Sequence, residues 1–409
     1  MKDEFQKYTQ KLLRDRTAVP ESIHFYRLDD VVTTNLRDEW LPMFTKVFSD
    51  LNITALLFAK FTLPFADLLV ERADPSADRL MPKDSETKVF LHDIPFIRKR
   101  EWTGKPKEEL AGLIIKCLKE RKAAIVQGLG AVATGNVSVE QAFIAFSTLF
   151  HTTFVKYLLD LLTEGFRLPQ EPRLFDEFKT SWLRPQEVSN LIFAKGPLEK
   201  IADGGGRGAE RGIIYDEICR VGRYTVEKGY VDSFFGNISY FDGKTIYISQ
   251  TTSSLDELEG HIDPVPLDSS STAGLSASSE LPAHRGIYRA SQYHAVLHGH
   301  PRFSIVMSMF CEERNCTIED CNRLCNRKRS VCGVSIVAGE TGVGGLATSV
   351  PVAIKDSGVC IVYGHGIFSA GEMDFHDAFM KMAKVEDRCR EEYFKLLEKS
   401  SESRVQSSK

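Results

Sequence analysis

The feature that most constrains this chain of 409 residues is that it repeats itself. Residues 124–143, AIVQGLGAVATGNVSVEQAF, align without a gap to residues 360–379, CIVYGHGIFSAGEMDFHDAF, at an offset of 236. The two stretches share Ile125/Ile361, Val126/Val362, Gly128/Gly364, Gly130/Gly366, Gly135/Gly371, Ala142/Ala378 and Phe143/Phe379. A second stretch, residues 42–57, aligns with residues 282–297 at an offset of 240. Chance similarity between apolar strand patterns explains one such match; two in the same order at nearly equal offsets point to one fold written twice. Each copy of the first stretch reads as a strand, a glycine turn and a helix.

Length agrees with duplication, because single cores stop growing well short of 409 residues. The glycine-rich break ADGGGRGAERG, after a Pro-punctuated stretch, sets the expected division: a first domain over 1–165, a linker over 166–205, a second domain over 206–397 and a polar, disordered tail over 398–409. A net charge of -4 gives no basic excess to collect phosphate-backbone contacts, so nucleic acid is not an expected partner. No uninterrupted apolar run is long enough for a membrane span, and the charged start MKDEFQKYTQKLLRDRT lacks the apolar core of a secretory signal. The expected setting is cytoplasmic, with the nine cysteines reduced. Five of them, Cys311, Cys316, Cys321, Cys325 and Cys332, crowd into one short stretch. They read either as inert thiols or as a second structural zinc or redox-sensitive cluster.

Chemistry is distributed unequally between the copies. In HAVLHGH, an apolar run ends with His298 and His300 two apart, which on a strand places both imidazoles on one face. Such a pair suits a divalent metal, and equally a hydrogen-bonded pair of core histidines; a catalytic zinc site needs a third ligand. His365, between two glycines at the end of the strand CIVY, is the candidate. The first copy has Phe58, Lys60 and Leu129 at these three positions, so the histidines are lost there as a set. Hydroxyl-rich turns precede them. Gly236, Asn237 and Ser239 in FFGNISYFDG form one turn able to hold an anion or close a hairpin. Thr251 to Ser254 precede LDELEG and read as the cap of a short helix. Ser278 and Ser279 stand before Glu280, itself either a site carboxylate or an N-terminal charge on the helix containing HRGIYRA.

Taken in order, GNIS, ISQTTSSLDEL, SSE, HGHP and GHG make residues from about Gly212 to Leu397 resemble the class II aldolase/adducin family. The resemblance implies an α/β fold, three-layer α/β/α with a central, mainly antiparallel sheet, here duplicated with a degenerate first copy. It implies a metal site of His298, His300 and His365 holding zinc, or another divalent metal such as manganese or cobalt. Glu280 falls on the catalytic acid/base position, and Gly236, Asn237, Thr251, Ser278 and Ser279 on phosphate-binding positions. The implied protein is a homo-oligomeric aldolase or lyase acting, through an enediolate, on a small, phosphorylated, sugar-like carbonyl substrate. The family also contains epimerases and dehydratases; a decarboxylase would use related anion chemistry, and adducin carries a non-catalytic version. Two departures stand out: Thr252 occupies a turn position where the family usually has glycine, and residues 302–336 lack the tyrosine that serves sugar-phosphate aldolases as proton donor.

Overall fold

The computed structural model describes residues 2–36, 39–183, 193–198, 207–232, 234–311, 313, 316, 329–338 and 344–407. The chain divides into two compact units, Met1–Arg184 and Pro185–Lys409. In the first, strands β1 (His24–Leu28), β2 (Val32–Thr34), β3 (Ala55–Ala59), β4 (Arg79–Leu80), β5 (Ile94–Ile97), β6 (Ala123–Val126) and β7 (Gly130–Gly135) form one sheet. Its order is β2-β1-β3-β7-β6-β5-β4. In the second, β8 (Asn237–Phe241), β9 (Thr245–Ser249), β10 (Ile262–Pro266), β11 (Ala295–Gly299), β12 (Arg329–Val331), β13 (Val334–Val337), β14 (Val359–Val362) and β15 (Gly366–Gly371) follow the order β10-β9-β8-β11-β15-β14-β13-β12. With β10 set aside, the two orders superimpose strand for strand. Each sheet is antiparallel except at one parallel pair, and that pair is equivalent in both: β5 with β6, and β13 with β14.

Helices cover both faces in each unit, which completes the three layers. On one face of the first sheet, helices Leu41–Asp50 and Lys107–Leu118 close a core with Tyr26, Leu56, Phe58 and Val132. On the second, Leu281–Ala290 and Leu346–Ile354 do the same with Ile246, Val296, Val362 and Phe368. Each fully buried side chain of this kind contributes about 1.5–3 kcal/mol. The other faces are covered by Val139–Glu164, against β3 and β7, and by Phe375–Ser407, against β11 and β15. Val139–Glu164 is long and apolar enough to cross a membrane by length and composition, but 89% of its most apolar window is buried in the protein.

The shared glycines have a steric cause. A Cβ on Gly130 would lie 2.2 Å from the Ala59 carbonyl oxygen, and one on Gly366 would lie 2.3 Å from that of Gly299. Both are places where the last strand of the repeat crosses the end of its central neighbour. Gly135 and Gly371 are pressed in the same way onto the carbonyls of Ser138 and Asp374, the residues that cap the following helices.

Three details differ from the sequence reading. The first unit extends beyond residue 165: residues 171–177 are helical, and Glu171 receives the buried Arg72 guanidinium at 2.6 Å. Much of the expected linker lies outside the described residues. LDELEG forms turns rather than a helix, its Ser254 hydroxyl bonding to Asp256 two residues on instead of opening a helical turn. The closing helix runs to Ser407, through the stretch expected as a disordered tail, because 398–407 contains helix formers and neither Gly nor Pro.

Candidate metal centre

The second sheet delivers the three histidines by different routes. His298 lies on β11, His300 follows that strand, and His365 sits in the turn joining β14 to β15. Since β15 pairs with β11 in the register His298↔Phe368, the turn before β15 returns over the end of β11. Gly366 permits this, for its Cβ would be 2.7 Å from His300 Cδ2 and 3.1 Å from His298 Cε1. All three imidazoles are buried. Nε2 of His298 lies 2.9 Å from Nε2 of His300 and 3.1 Å from Nε2 of His365. Three nitrogens bound tetrahedrally to one zinc would stand ~3.3 Å apart, so little movement separates the trio from a closed ligand set. Among the described residues it is the only group of three His, Cys, Asp or Glu side chains close enough to share an ion.

The sheet also sets the tautomer. Nδ1 of His298 lies 3.0 Å from the Ile367 carbonyl oxygen and donates to it, so Nε2 carries the bare lone pair toward its two neighbours. An imidazole oriented through its far nitrogen by a backbone carbonyl is the arrangement that metal-binding histidines favour. Phe368 stacks on the same ring at 4.1 Å between centroids. The donor set therefore fits a divalent metal such as zinc.

Glu280 precedes the helix Leu281–Ala290 without making a side-chain cap bond. Its carboxylate turns to the histidines instead, Oε1 lying 3.2 Å from His365 Nε2 and Oε2 3.4 Å from His298 Nε2. Burial works to raise its pKa. When His298 and His365 are protonated rather than metal-bound, their charge, together with hydrogen bonds from His365 and Asn237, more than reverses this and holds the carboxyl well below the usual range.

The five anion-turn residues are placed around this centre in different ways. Gly236 packs under β11, where a Cβ would meet Val231 at 2.6 Å and the His298 carbonyl at 2.9 Å. Thr251 is exposed, and its N–H donates to Ser276; Ser278 is buried and its N–H donates to Ser249, so the two hydroxyl segments lie side by side. Ser279 is exposed, while the Ser278 hydroxyl accepts from the Glu280 N–H. Asn237 is committed elsewhere: it is buried, and its Nδ2 donates to Glu280 Oε2 at 2.7 Å. Its Oδ1 meets His284 Nε2 at 2.5 Å, His284 Nδ1 meets Ser239 Oγ at 2.6 Å, and Ser239 Oγ meets Tyr288 Oη at 2.6 Å. His284 and Tyr288 were not singled out from sequence. The signal was there in the spacing of Glu280, His284 and Tyr288 by fours, which stacks them on one helix face, and in Asn237 and Ser239 two apart on a strand.

The equivalent positions of the first unit have lost most of this polarity. Register sets Phe58 at the His298 position, paired with His24 where His298 pairs with Asn237. Trp40, Phe44, Phe48 and Tyr26 stand where the second unit has Glu280, His284, Tyr288 and Ser239. They pack ring on ring: Tyr26 with Phe44 at 4.7 Å, Phe44 with Phe58 at 5.3 Å and Trp40 with Phe58 at 5.5 Å. Of the crowded cysteines, Cys321 and Cys325 lie outside the described residues; Cys311 is exposed, and Cys316 and Cys332 are half-buried free thiols.

Fold and site together define an α/β/α domain with a three-histidine, one-carboxylate centre suited to a divalent metal. Residues 216–393 match the model of the Class II Aldolase and Adducin N-terminal domain. No curated protein matches. Among solved structures, the chain is similar to an L-fuculose-1-phosphate aldolase from Thermus thermophilus, at 23% identity and a TM-score of 0.38 over 46% of this chain and 96% of that one. A putative aldolase/epimerase/decarboxylase from Escherichia coli matches at 22% identity and a TM-score of 0.36, over 43% and 86%. A sugar-phosphate aldolase from Thermotoga maritima matches at 18% identity and a TM-score of 0.34, over 46% and 96%.

Proposed function

We propose that the C-terminal unit is a zinc-dependent lyase that makes or breaks a carbon–carbon bond beside the carbonyl of a small, phosphorylated, sugar-like substrate. The observation that carries this reading is the buried trio with Glu280 within 3.2 Å of His365 Nε2. His298, His300 and His365 would hold the metal, which when bound supplies Lewis-acid polarisation of a carbonyl oxygen. Glu280 takes the proton from the substrate atom beside that carbonyl and returns it. As a carboxylate it is able to accept that proton at neutral pH. With Asn237 held by Glu280, recognition of the substrate's anionic group falls to the exposed Thr251 and Ser279 hydroxyls, with Ser278 and Gly236 beside them. The protein works as a cytoplasmic homo-oligomer.

The test is a screen of phosphorylated ketoses for zinc-dependent release of an aldehyde, run on the wild-type protein and a His298→Ala variant. The variant is expected to lose its zinc and to slow at least ~100-fold. Full activity with zinc retained in His298→Ala would sink the assignment. Turnover of the same substrates without aldehyde release would move the reaction to epimerisation, dehydration or decarboxylation at the same centre.

A further inference from the structure

We propose that His284 is a positioning residue for Glu280, acting through Asn237 at the end of a hydrogen-bonded chain whose proton order from Asn237 to Ser239 is fixed. The relevance of this chain to turnover rests on the role given above to Glu280, but its proton order does not.

The order follows from what each atom can do. Glu280 as a carboxylate only accepts, so Asn237 must present Nδ2 to it, at 2.7 Å, and turn Oδ1 the other way. Oδ1 can only accept, so the proton of the 2.5 Å contact belongs to Nε2 of His284. A neutral imidazole has a single N–H, which leaves Nδ1 bare to receive the Ser239 hydroxyl at 2.6 Å. Burial keeps this imidazole neutral, pushing its pKa down to about 3. The serine proton is then spent, so Tyr288 must donate in the 2.6 Å contact between the two hydroxyls, with the Ser239 carbonyl as its other acceptor at 2.9 Å. Reversing any one link would force a carbonyl oxygen against a carboxylate or one proton against another. A lone asparagine amide can flip; this one cannot while His284 donates to it.

The first unit shows that the fold does not require the chain. Where Glu280 is replaced by Trp40, every other member is replaced as well: Asn237 by His24, Ser239 by Tyr26, His284 by Phe44 and Tyr288 by Phe48. The same sheet and helix close over aromatic rings instead. The chain and the carboxylate it ends on are therefore present together or absent together, as linked buried groups must be when each one left without its partner costs about 1–3 kcal/mol. What the chain does for Glu280 is to hold Oε2 with one fixed donor and leave Oε1 toward His365.

Three measurements on the full chain test this. The first is nitrogen NMR of histidine-labelled wild-type protein. His284 is expected as the Nε2–H tautomer, and finding the Nδ1–H tautomer overturns the proton order whatever reaction is catalysed. The second is His284→Phe, which installs the side chain the fold already accepts at Phe44. Zinc per chain and KM are expected to stay within about 2-fold, while kcat falls ~10–100-fold, the usual scale for a residue orienting a ligand or base from behind. His284→Gln, which restores a donor to Asn237, is expected to recover part of that loss. Wild-type kcat in His284→Phe, or a loss explained by missing zinc, overturns the proposal. The third covers the case in which His284→Phe does not fold: Tyr288→Phe removes a single oxygen from the far end, and there a smaller drop in kcat at constant KM supports the chain, whereas none overturns it. An Nε2–H tautomer in a protein that releases no aldehyde would retire the proposed reaction and keep the chain.

Discussion

Thr252 has a φ of +60°, in the left-handed region that a β-branched side chain enters only at a cost of about 1–3 kcal/mol. It occupies the turn position where the resembling family usually carries glycine. Thr252→Gly is therefore expected to raise stability by about 1 kcal/mol, the relieved strain exceeding the extra freedom of glycine in the unfolded chain. Urea titration of the two proteins measures this, and an unchanged or lower midpoint would refute it. At this scale the histidine trio was legible, because a two-residue spacing on a strand is a local pattern and its loss from the other copy could be read directly. Asn237 was not. Its partners, Glu280 and His284, are 43 and 47 residues away, and GNIS alone says only that a donor sits in a turn. The sequence offers Asn237 either to an anion or to a hairpin turn; the structure engages both ends of its side-chain amide, with Glu280 and His284.

Among the elements, the helix Ser85–Leu91 has a cap with a measurable signature. Asp84 accepts from the Thr87 N–H at 2.9 Å and from the Thr87 hydroxyl at 2.5 Å, yet it is buried, and burial outweighs both bonds and lifts its pKa to about 6. The folded pKa lies above the ordinary value of 3.8, so between these pH values the folded state holds more protons than the unfolded one. The unit should thus gain stability as pH falls from 6 toward 3.8 on account of this group, and carry its full cost above pH 6. Asp84→Asn keeps the acceptor for Thr87 and removes the charge. It is expected to stabilise the protein at pH 7 by up to about 3 kcal/mol, each step of one in pKa being worth ~1.4 kcal/mol, and to give no gain at about pH 4. Unfolding midpoints at the two pH values decide the matter; equal effects at both would refute it. Strand–turn–helix order was legible because the glycines of the repeat mark crowded crossings that any copy must keep. LDELEG was misread because a capping residue close to a run of helix formers looks the same whether its hydroxyl opens a helix or bonds to Asp256 beside it.

For the whole molecule, the duplication inferred from two offsets is present as two sheets of matching order. It was legible because spacing survives when side chains do not. Among the described residues the candidate metal centre is single for the same reason in reverse. One equivalent of zinc per chain is expected by elemental analysis. It should be abolished by His300→Ala and unaffected by Lys60→Ala, or by changing Cys321 and Cys325 to serine. Two equivalents, or one that depends on the cysteines, would reopen the cluster read from their spacing.

The rings that fill the first unit have a historical consequence. Restoring a histidine at Phe58 there would bury a polar group among aromatics at a cost of about 1–3 kcal/mol until partners were restored to satisfy it. That backward step is penalised until its partners have been restored. The inert copy is thus caught behind a ratchet, free to drift toward new uses but closed to its former one by single substitutions.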